Sequence, residues 1–95
     1  MLTSKQRSVL RGLANPIETI FHIGKGGITQ DILRNFEQAL DARELVKANV
    51  LDNCMLTARD AANYIAGKIH AEVVMVIGNK FVLYRKSRTN PKIEI

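Results

Sequence analysis

The sequence predicts an α/β domain of element order α-β-α-β-α-β-β, a two-layer sandwich with a four-stranded mixed sheet. Three observations lead to this prediction. The spacing of apolar residues alternates along the chain between a helical period and an extended period of two. Helical segments separate the first three extended ones, which predicts right-handed crossovers and parallel strands. A Gly-Asn pair between the last two extended segments predicts an antiparallel hairpin.

The composition is typical of one globular domain over residues 1–95. Apolar residues make up 46% and charged residues 24% of the chain, values that argue against a disordered protein. The single cysteine, Cys54, excludes an intramolecular disulfide and a cysteine-rich zinc site, and it favours a reducing compartment. We expect a cytoplasmic protein, because no apolar run approaches the length of a membrane span and no signal-peptide pattern is visible.

The first helix and the first strand are predicted from their boundary residues. Thr3 and Gln6 have the spacing of a capping box, so the helix is expected to begin after Thr3. Pro16 ends it, because a residue before proline avoids the helical region. The buried stripe of this helix is expected to contain Val9, Leu10 and Leu13. The strand is predicted over residues 17–23, with one face formed by Ile17, Thr19, Phe21 and Ile23.

The second and third helices are both expected to begin after a threonine. Thr29 suits an N-cap and precedes a helical face of Ile32, Leu33, Phe36, Ala39 and Leu40. Thr57 likewise suits an N-cap, and the helix that follows it has an apolar face of Ala61, Ala62, Ile65, Ala66 and Ile69. Residues 44–51, between these helices, are predicted to form the second strand.

Two strands joined by a tight turn are expected to complete the sheet. Residues 72–77 form an apolar, mostly β-branched run that is typical of a buried strand. Gly78-Asn79 is the predicted hairpin turn and residues 80–85 are the predicted last strand. The sequence then becomes polar, and we expect residues 88–95 to be a loose tail.

Basic residues are concentrated at the two ends of the chain. Residues 1–30 carry four bases and one acid, residues 73–95 carry five bases and one acid, and the middle carries five bases and seven acids. The ends therefore sum to +7 and the middle to −2, within a total of +5. A fold that brings the ends together would create one basic face for a polyanion. The alternative is an ordinary solvated surface.

The turn Gly24-Lys25-Gly26-Gly27 has the composition of a phosphate-binding loop. Glycines allow a tight turn and let a ligand approach the backbone closely. The helix that follows Thr29 adds free N–H groups and the positive end of its dipole, and Lys25 adds a full charge at the tip. An ordinary strand–helix connection is the alternative interpretation.

Motifs for free nucleotides do not fit this turn. A P-loop requires a longer spacing before its Gly-Lys pair, and here Lys25 is followed by Gly26. A dinucleotide fingerprint requires a third glycine where Thr29 stands. A G-x-x-G loop that holds a nucleic-acid backbone is the better match.

Short segments of the chain also occur in a characteristic order. They are LTSKQR (2–7) with LRGLA (10–14), IGKGGIT (23–29), QAL (38–40) with ELVK (44–47), VIG (76–78) and VLYR (82–85). Together they resemble the CRM domain family (chloroplast RNA splicing and ribosome maturation), specifically its stand-alone bacterial YhbY-like members. The resemblance extends from about residue 2 to residue 87.

This resemblance implies an RNA-binding domain with a fold similar to the C-terminal domain of translation initiation factor three. Bacterial members of the family are linked to precursors of the large ribosomal subunit, and their GxxG loop, here residues 24–27, is part of the RNA-contacting surface. The sequence departs from the family at two places. His70-Ala71 replaces a usual Gly-Ala pair, and histidine tolerates a left-handed backbone better than most residues. Met75 occupies a position where a polar residue is common.

The leading hypothesis is a non-catalytic RNA-binding protein, monomeric and without cofactor or small-molecule substrate, that contacts structured ribosomal RNA and assists assembly of the large ribosomal subunit. The predicted RNA-binding residues are Gly24, Lys25, Gly26, Gly27, Thr29, Lys5, Arg7, Arg11, Lys47, Arg85, Lys86 and Arg88. One alternative is a protein-interaction module that docks on acidic ribosomal or translation-factor surfaces. Another is a small enzyme acting on RNA, which the absence of paired carboxylates, metal-ligand spacing and an activated nucleophile disfavours.

Aromatic and histidine side chains are expected to have mainly structural roles. Three phenylalanines occupy core positions, Tyr84 is expected to be partly exposed, and the sequence has no pair of stacking aromatics like that of an RRM. His22 is interpreted as a structural or surface residue, with stacking on a base as the alternative. We therefore expect recognition of folded RNA through its backbone and shape, with a steep salt dependence.

Overall fold

The computed structural model describes residues 2–93, and within them it has the predicted order of three helices and four strands. The elements are α1 (Ser4–Ala14), β1 (Thr19–Ile23), α2 (Gln30–Arg43), β2 (Leu45–Val50), α3 (Ala58–Ile69), β3 (Glu72–Ile77) and β4 (Lys80–Tyr84). The α/β class, the element order and the four-stranded mixed sheet are confirmed.

Each helix begins after the threonine that the sequence indicates. The hydroxyl of Thr3 accepts a hydrogen bond from the backbone N–H of Gln6 at 3.1 Å, and the Gln6 side chain accepts one from the Thr3 N–H at 2.9 Å. This reciprocal pair is the predicted capping box. The hydroxyl of Thr29 accepts from the Ile32 N–H and that of Thr57 from the Asp60 N–H, so each threonine caps its helix. Such a cap stabilises a helix by about 1 kcal/mol.

The strands lie in the order β1-β2-β4-β3. β1 is parallel to β2, whereas β4 is antiparallel to both of its neighbours. The first three strands therefore all finish at one end of the sheet, which we call the loop end because the Gly24–Gly27 turn lies there. The opposite end, where β4 finishes and the C-terminal segment starts, is called the tail end.

Helices cover both faces of the sheet. α2 and α3 pack on one face, where the Phe36 ring stacks between Phe21, at 4.2 Å between centroids, and Phe81, at 6.3 Å. α1 packs on the other face through Leu10 and Ala14. The predicted two layers describe the sheet with α2 and α3, and α1 adds a third, smaller layer.

The buried stripe of α1 is narrower than predicted. Leu10 and Ala14 are fully buried, whereas Val9 and Leu13 are 44% and 45% exposed. A single helix lying on an open sheet face touches it only along one line of residues, here one turn apart. α1 contacts β2 and β3 and covers the tail end of this face, against Leu45, Val74, Val82 and Tyr84. Tyr84 is therefore buried, which corrects the expectation that it is partly exposed.

Two helices end at non-glycine residues in the left-handed conformation. Glu44 has φ 65° and His70 has φ 58°, and their N–H groups donate to Leu40 and Ala66 respectively. The left-handed backbone at His70 agrees with the expectation for that turn. Glu44 was predicted to begin β2, but it caps α2 instead, so the strand starts at Leu45.

The segment after β4 is attached to the end of α2. The fully buried carboxylate of Glu44 accepts hydrogen bonds from the backbone N–H groups of Ser87 at 2.9 Å, of Lys92, and of Ile93 at 2.7 Å. Residues 88–93 thus differ from the expected loose tail, because Glu44 holds the backbone of Lys92 and Ile93 and Asp41 holds that of Arg88. Residues 94 and 95 lie outside the described part of the chain.

Candidate nucleic-acid interface

The GxxG turn is a closed β-turn whose glycines have different roles. The Gly27 N–H donates to the Gly24 carbonyl oxygen at 3.0 Å. A Cβ at Gly24 would lie 3.3 Å from the Leu51 side chain, so glycine allows close packing there. Gly27 has φ +68°, which glycine adopts without strain. Gly26 has open space around it and an ordinary φ, so the fold does not require glycine at that position.

The turn presents cationic and N–H groups to solvent. Lys25 is exposed at its tip, and α2 begins three residues after Gly27. The Thr29 hydroxyl accepts from the Ile32 N–H at 3.2 Å, so this side chain serves the helix cap. Asp31, in the first turn, pairs with Arg34 at 3.3 Å. The loop can therefore approach an anion through Lys25 and the backbone, while Thr29 fixes the start of the helix.

A row of four side chains crosses the sheet beside this turn, on the face that α1 covers only in part. The ladder pairs His22 with Asn49, Asn49 with Lys80, and Lys80 with Ile77, which places one residue from each strand in the row. The Asn49 amide nitrogen lies 3.3 Å from His22 Nδ1, which joins β1 and β2 at this level. His22, Lys80 and Ile77 are exposed and Asn49 is half-buried. We call these four residues the open row.

Lys47 lies next to the open row, where α1 ends. It faces the same side as Asn49, two positions along β2, and its Nζ is 3.5 Å from the Asn15 carbonyl oxygen. Between α1 and the open row is a shallow pocket of about 150 Å³. Its walls include the apolar side chains of Met75, Ile77 and Val82 and the polar groups of Asn15, Lys47 and Lys80.

Lys80 is a basic residue of this face that was not among the predicted site residues. The sequence does show that Lys80, Val82 and Tyr84 are spaced two residues apart, which predicts that they lie on the same face of β4. Its relation to Lys47 depends on β2 and β4 being neighbours, however, and element order alone does not give that adjacency. The structure shows that Lys80 and Lys47 are diagonal neighbours on one face.

The predicted bases of α1 lie on a different part of the surface. Lys5 and Arg11 are exposed, and Arg7 is half-buried with a buried Nε that has no hydrogen-bond partner among residues 2–93. Arg7 and Arg59 line a groove of about 650 Å³ between the start of α1, α3 and the outer edge of β3. α1 thus carries positive charge from this groove towards the open row.

Arg85 is a structural residue, which corrects its predicted role in RNA contact. It is only 7% exposed. Its guanidinium donates to the Ile69 carbonyl oxygen at 2.9 Å, to the Glu37 carboxylate at 3.3 Å and to the Asp41 carboxylate at 3.2 Å. These bonds join the ends of α2 and α3 to β4. The guanidinium is therefore not available at the surface for a phosphate.

Lys86 and Arg88 are exposed, but they lie at the tail end and not beside the GxxG turn. β2 separates the two ends by roughly 17 Å, from its length and the usual rise per residue. The backbone N–H of Arg88 donates to Asp41 at 3.3 Å. This bond and the Arg85 guanidinium lower the pKa of the Asp41 carboxyl against the opposing effect of desolvation. Lys86 and Arg88 thus form a group separate from Lys25 and Lys47, and acids accompany this tail-end group.

The two other groups with shifted pKa values also lie at the tail end. Burial acts to raise the pKa of Glu44, but hydrogen bonds from the Ser87, Lys92 and Ile93 backbone lower it below its usual value. Burial, with the nearby Glu44 charge, raises the pKa of Tyr84. Each shift has a cause in the packing of the domain.

The described residues form neither a metal-ligand cluster nor a membrane-spanning helix. Within residues 2–93, no three side chains of His, Cys, Asp or Glu are grouped to hold a metal ion. None of the helices formed by these residues is long and apolar enough to cross a membrane. The Cys54 thiol is half-buried, and its sulfur accepts from the Leu56 N–H at 3.5 Å.

Comparison with known proteins identifies the family. The CRS1 / YhbY (CRM) domain model matches residues 2–85, which include the GxxG turn and all seven elements. The chain belongs to the CRM domain family. Its match ends at Arg85, so the segment attached to Glu44 lies beyond the part of this CRM domain that the family describes.

Two relatives and one solved structure match this CRM domain over nearly its whole length. It is 40% identical to the "Probable RNA-binding protein YqeI" of Bacillus subtilis, over 100% of this chain and 99% of that protein. It is 35% identical to an "RNA-binding protein" of Haemophilus influenzae, over 90% of this chain and 87% of that one. The solution structure of the hypothetical protein SAV1595 from Staphylococcus aureus superposes with a TM-score of 0.81 at 41% identity, and covers 100% of this chain and 99% of that one.

Proposed function

We propose that this CRM domain is a non-catalytic RNA-binding protein that contacts structured RNA, specifically ribosomal RNA during assembly of the large ribosomal subunit. The contact surface would consist of the GxxG turn with Thr29, the open row with the adjacent Lys47, and the bases of α1. The loop and basic residues assigned to it are Gly24, Lys25, Gly26, Gly27, Thr29, Lys5, Arg7, Arg11, Lys47 and Lys80. Lys86 and Arg88 would contact a separate segment of a long RNA from the tail end.

The observation that carries this proposal is the placement of the GxxG turn. It lies at the loop end with an exposed lysine at its tip, an unconstrained glycine beside it and the start of α2 directly after it. Backbone N–H groups and a lysine in this arrangement suit phosphate oxygens. Lys80 and Lys47 extend the positive charge from the turn onto the sheet. The names of the relatives, which refer to RNA binding, support the same class of ligand.

A non-catalytic role is supported by the distribution of chemically distinctive groups. Within residues 2–93, the shifted pKa values belong to Asp41, Glu44 and Tyr84, and each has a structural cause at the tail end. Catalytic groups tend to combine a shifted pKa with a position in a cleft. The proposed surface instead consists mainly of basic side chains and glycines, which suit binding.

A protein-interaction module is the second candidate, and one observation favours it. β3 is an edge strand, and beside its outer edge lies the groove lined by Arg7 and Arg59. An extended acidic segment of another protein could add to such an edge. The bulge between Val73 and Met75 opposes this, because bulges commonly protect sheet edges from pairing. RNA binding at the loop end is therefore the better supported function.

The decisive experiment is a fluorescence-anisotropy titration of structured ribosomal RNA fragments at several salt concentrations. The wild-type chain is compared with a Lys25→Asp, Gly26→Asp double variant, which removes one positive charge and adds two negative ones. The expected result is a loss of at least about ten-fold in affinity and a salt slope that is shallower by about one. Gly26 tolerates a side chain, so the variant is expected to fold.

The chain offers a closely matched control. Gln38 on α2 and Lys68 on α3 are both exposed, and these two helices cover the sheet face opposite α1. A Gln38→Asp, Lys68→Asp variant makes the same change of charge away from the proposed surface. Equal losses in both variants would indicate a dependence on net charge alone and would contradict the proposed surface. Circular dichroism confirms that both are folded.

The assembly role has its own test. Sedimentation of cell lysates separates precursors of the large subunit from mature particles. We expect the protein in the precursor fractions, and we expect the loop double variant to be depleted from them. Absence of the wild-type protein from those fractions would contradict the assembly role and leave RNA binding as such unaffected.

A further inference from the structure

We propose that the pocket beside the open row binds one unpaired nucleotide of the RNA, with the base against Met75 and Ile77 and the adjoining phosphates against Lys80 and Lys47. This inference rests on the proposed RNA-binding function and names the element of RNA structure that the site recognises. It differs from the expectation that recognition uses the RNA backbone and shape alone.

The apolar part of the pocket is the first argument. Ile77 is 67% exposed at the end of β3, and Met75 is half-buried next to it on the same face. A single exposed apolar side chain is ordinary on a protein surface. Here, however, the two line a pocket of about 150 Å³, which is small compared with the 300–1,000 Å³ of typical pockets for drug-sized ligands. A pocket of this size suits one flat ring system.

The charges around the pocket are the second argument, because they indicate an anionic ligand. Lys80 and Lys47 both line it. Residues in this diagonal relation across an antiparallel pair have Cβ atoms about 7–8 Å apart, so two ammonium groups can flank one bound group. An apolar surface between two cations matches a base between two phosphates.

Hydrogen-bonding groups are the third argument. The Asn49–His22 contact uses the amide nitrogen of Asn49 and leaves its carbonyl oxygen to accept from a ligand. Asn15 lines the pocket, and its carbonyl oxygen lies 3.5 Å from Lys47 Nζ. These groups could accept from the exocyclic amines or ring N–H groups of a base.

The position of the pocket explains why the nucleotide would be unpaired. The GxxG turn and the open row occupy the same end of the sheet, so an RNA held at the turn passes over the row. Bases inside a duplex are stacked and cannot lie against a sheet, whereas a bulged base can leave the stack. A bulge in structured RNA therefore fits both the loop and the pocket.

The test compares two RNA hairpins that differ in one base. Both carry a single-nucleotide bulge, but in one of them the bulged position is abasic, so the number of phosphates is the same. Anisotropy titration of the wild-type chain is expected to show a preference of at least about five-fold for the hairpin with the base. The Ile77→Ser variant is expected to bind both hairpins equally. A Tyr64→Ser variant, altered at a half-exposed residue of α3, is expected to keep the preference.

Each outcome has a distinct meaning. Equal binding of both hairpins by the wild-type chain would overturn this inference, while sensitivity of that binding to the Lys25→Asp, Gly26→Asp change would still support the proposed function. A preference that persists in Ile77→Ser would also overturn it, because the base would then bind elsewhere. A protein partner could also bind at this pocket, in a way that survives nuclease treatment. If Ile77→Ser abolished that binding and left the preference between hairpins intact, the pocket would belong to a protein interface. The inference would again be overturned.

Discussion

The carboxylate of Glu44 accepts a hydrogen bond from the backbone N–H of Ile93 at 2.7 Å, although the two residues are 49 positions apart in the chain. Ser87 and Lys92 donate to the same carboxylate. Because Glu44 is the left-handed residue that ends α2, its side chain turns back under the segment that follows β4. One buried acid thus joins the end of a helix to the C-terminal segment.

Replacing Glu44 with glutamine is expected to destabilise the domain at neutral pH. The three backbone donors would lose a charged acceptor, and the new amide group would oppose one of them. The expected loss in the free energy of unfolding is about 1–3 kcal/mol. Urea denaturation followed by circular dichroism measures it.

The difference between Glu44→Gln and the wild-type chain is expected to depend on pH. The folded-state pKa of Glu44 lies below its usual value of 4.5, so the charged form is bound more favourably in the folded state. This contribution is fully present above pH 4.5 and is lost as the pH falls through the folded-state pKa. The gap in stability should therefore narrow in acid. A gap that stays constant at all acidic pH values would contradict the role of the charge.

The Arg85→Met substitution is expected to lower stability and leave RNA affinity nearly unchanged. It removes the guanidinium that satisfies the Ile69 carbonyl oxygen and pairs with Glu37 and Asp41. An unsatisfied buried acceptor costs about 1–3 kcal/mol. Thermal denaturation measures the loss of stability. RNA affinity, measured under conditions where the variant is fully folded, should change by no more than about two-fold. A larger loss would indicate that Arg85 contacts the RNA.

The His70→Gly substitution is expected to stabilise the protein. His70 has φ 58°, a conformation that costs a non-glycine residue about 1–2 kcal/mol. Relief of this cost, reduced by the greater freedom of glycine in the unfolded chain, should raise Tm by about 4–8 °C. Glycine at Lys68, an ordinary helical position in α3, is the control and should lower Tm. A lower Tm for His70→Gly would show that the imidazole makes a stabilising contact.

Much of the fold could be predicted because its signals are local. Thr3, Thr29 and Thr57 mark helix starts since a cap needs only the next three residues. Burial at Arg85 could not be predicted, because its acidic partners lie 44 and 48 positions away. The open row could not be predicted either, because its four residues come together only when the order of the strands in the sheet is known. Sequence could therefore locate the GxxG turn, but it could not show which distant basic residues lie beside it.

Replacing Gly27 or Gly26 of the turn with alanine is expected to change the stability of the protein by very different amounts. Gly27→Ala places a Cβ on a residue with φ +68° and should cost about 1–2 kcal/mol of stability. Gly26→Ala meets open space and should leave stability within about 0.5 kcal/mol of the wild-type value. Thermal denaturation distinguishes the two. Equal losses would mean that the turn has a different conformation in solution.

The Lys80→Gln substitution is expected to weaken binding of a short RNA hairpin more than Lys86→Gln does, although each removes one positive charge. Lys80 is in the open row, near the GxxG turn and Lys47. Lys86 lies at the tail end, roughly 17 Å or more away, and interacts with the Glu44 charge. Loss of one phosphate contact lowers the magnitude of the salt slope by about 0.9, so Lys80→Gln should give a shallower slope and Lys86→Gln an unchanged one. Anisotropy titrations at several salt concentrations measure both slopes. Equal effects would mean that the RNA responds to the overall charge of the domain, and the open row would then have no special part in the contact.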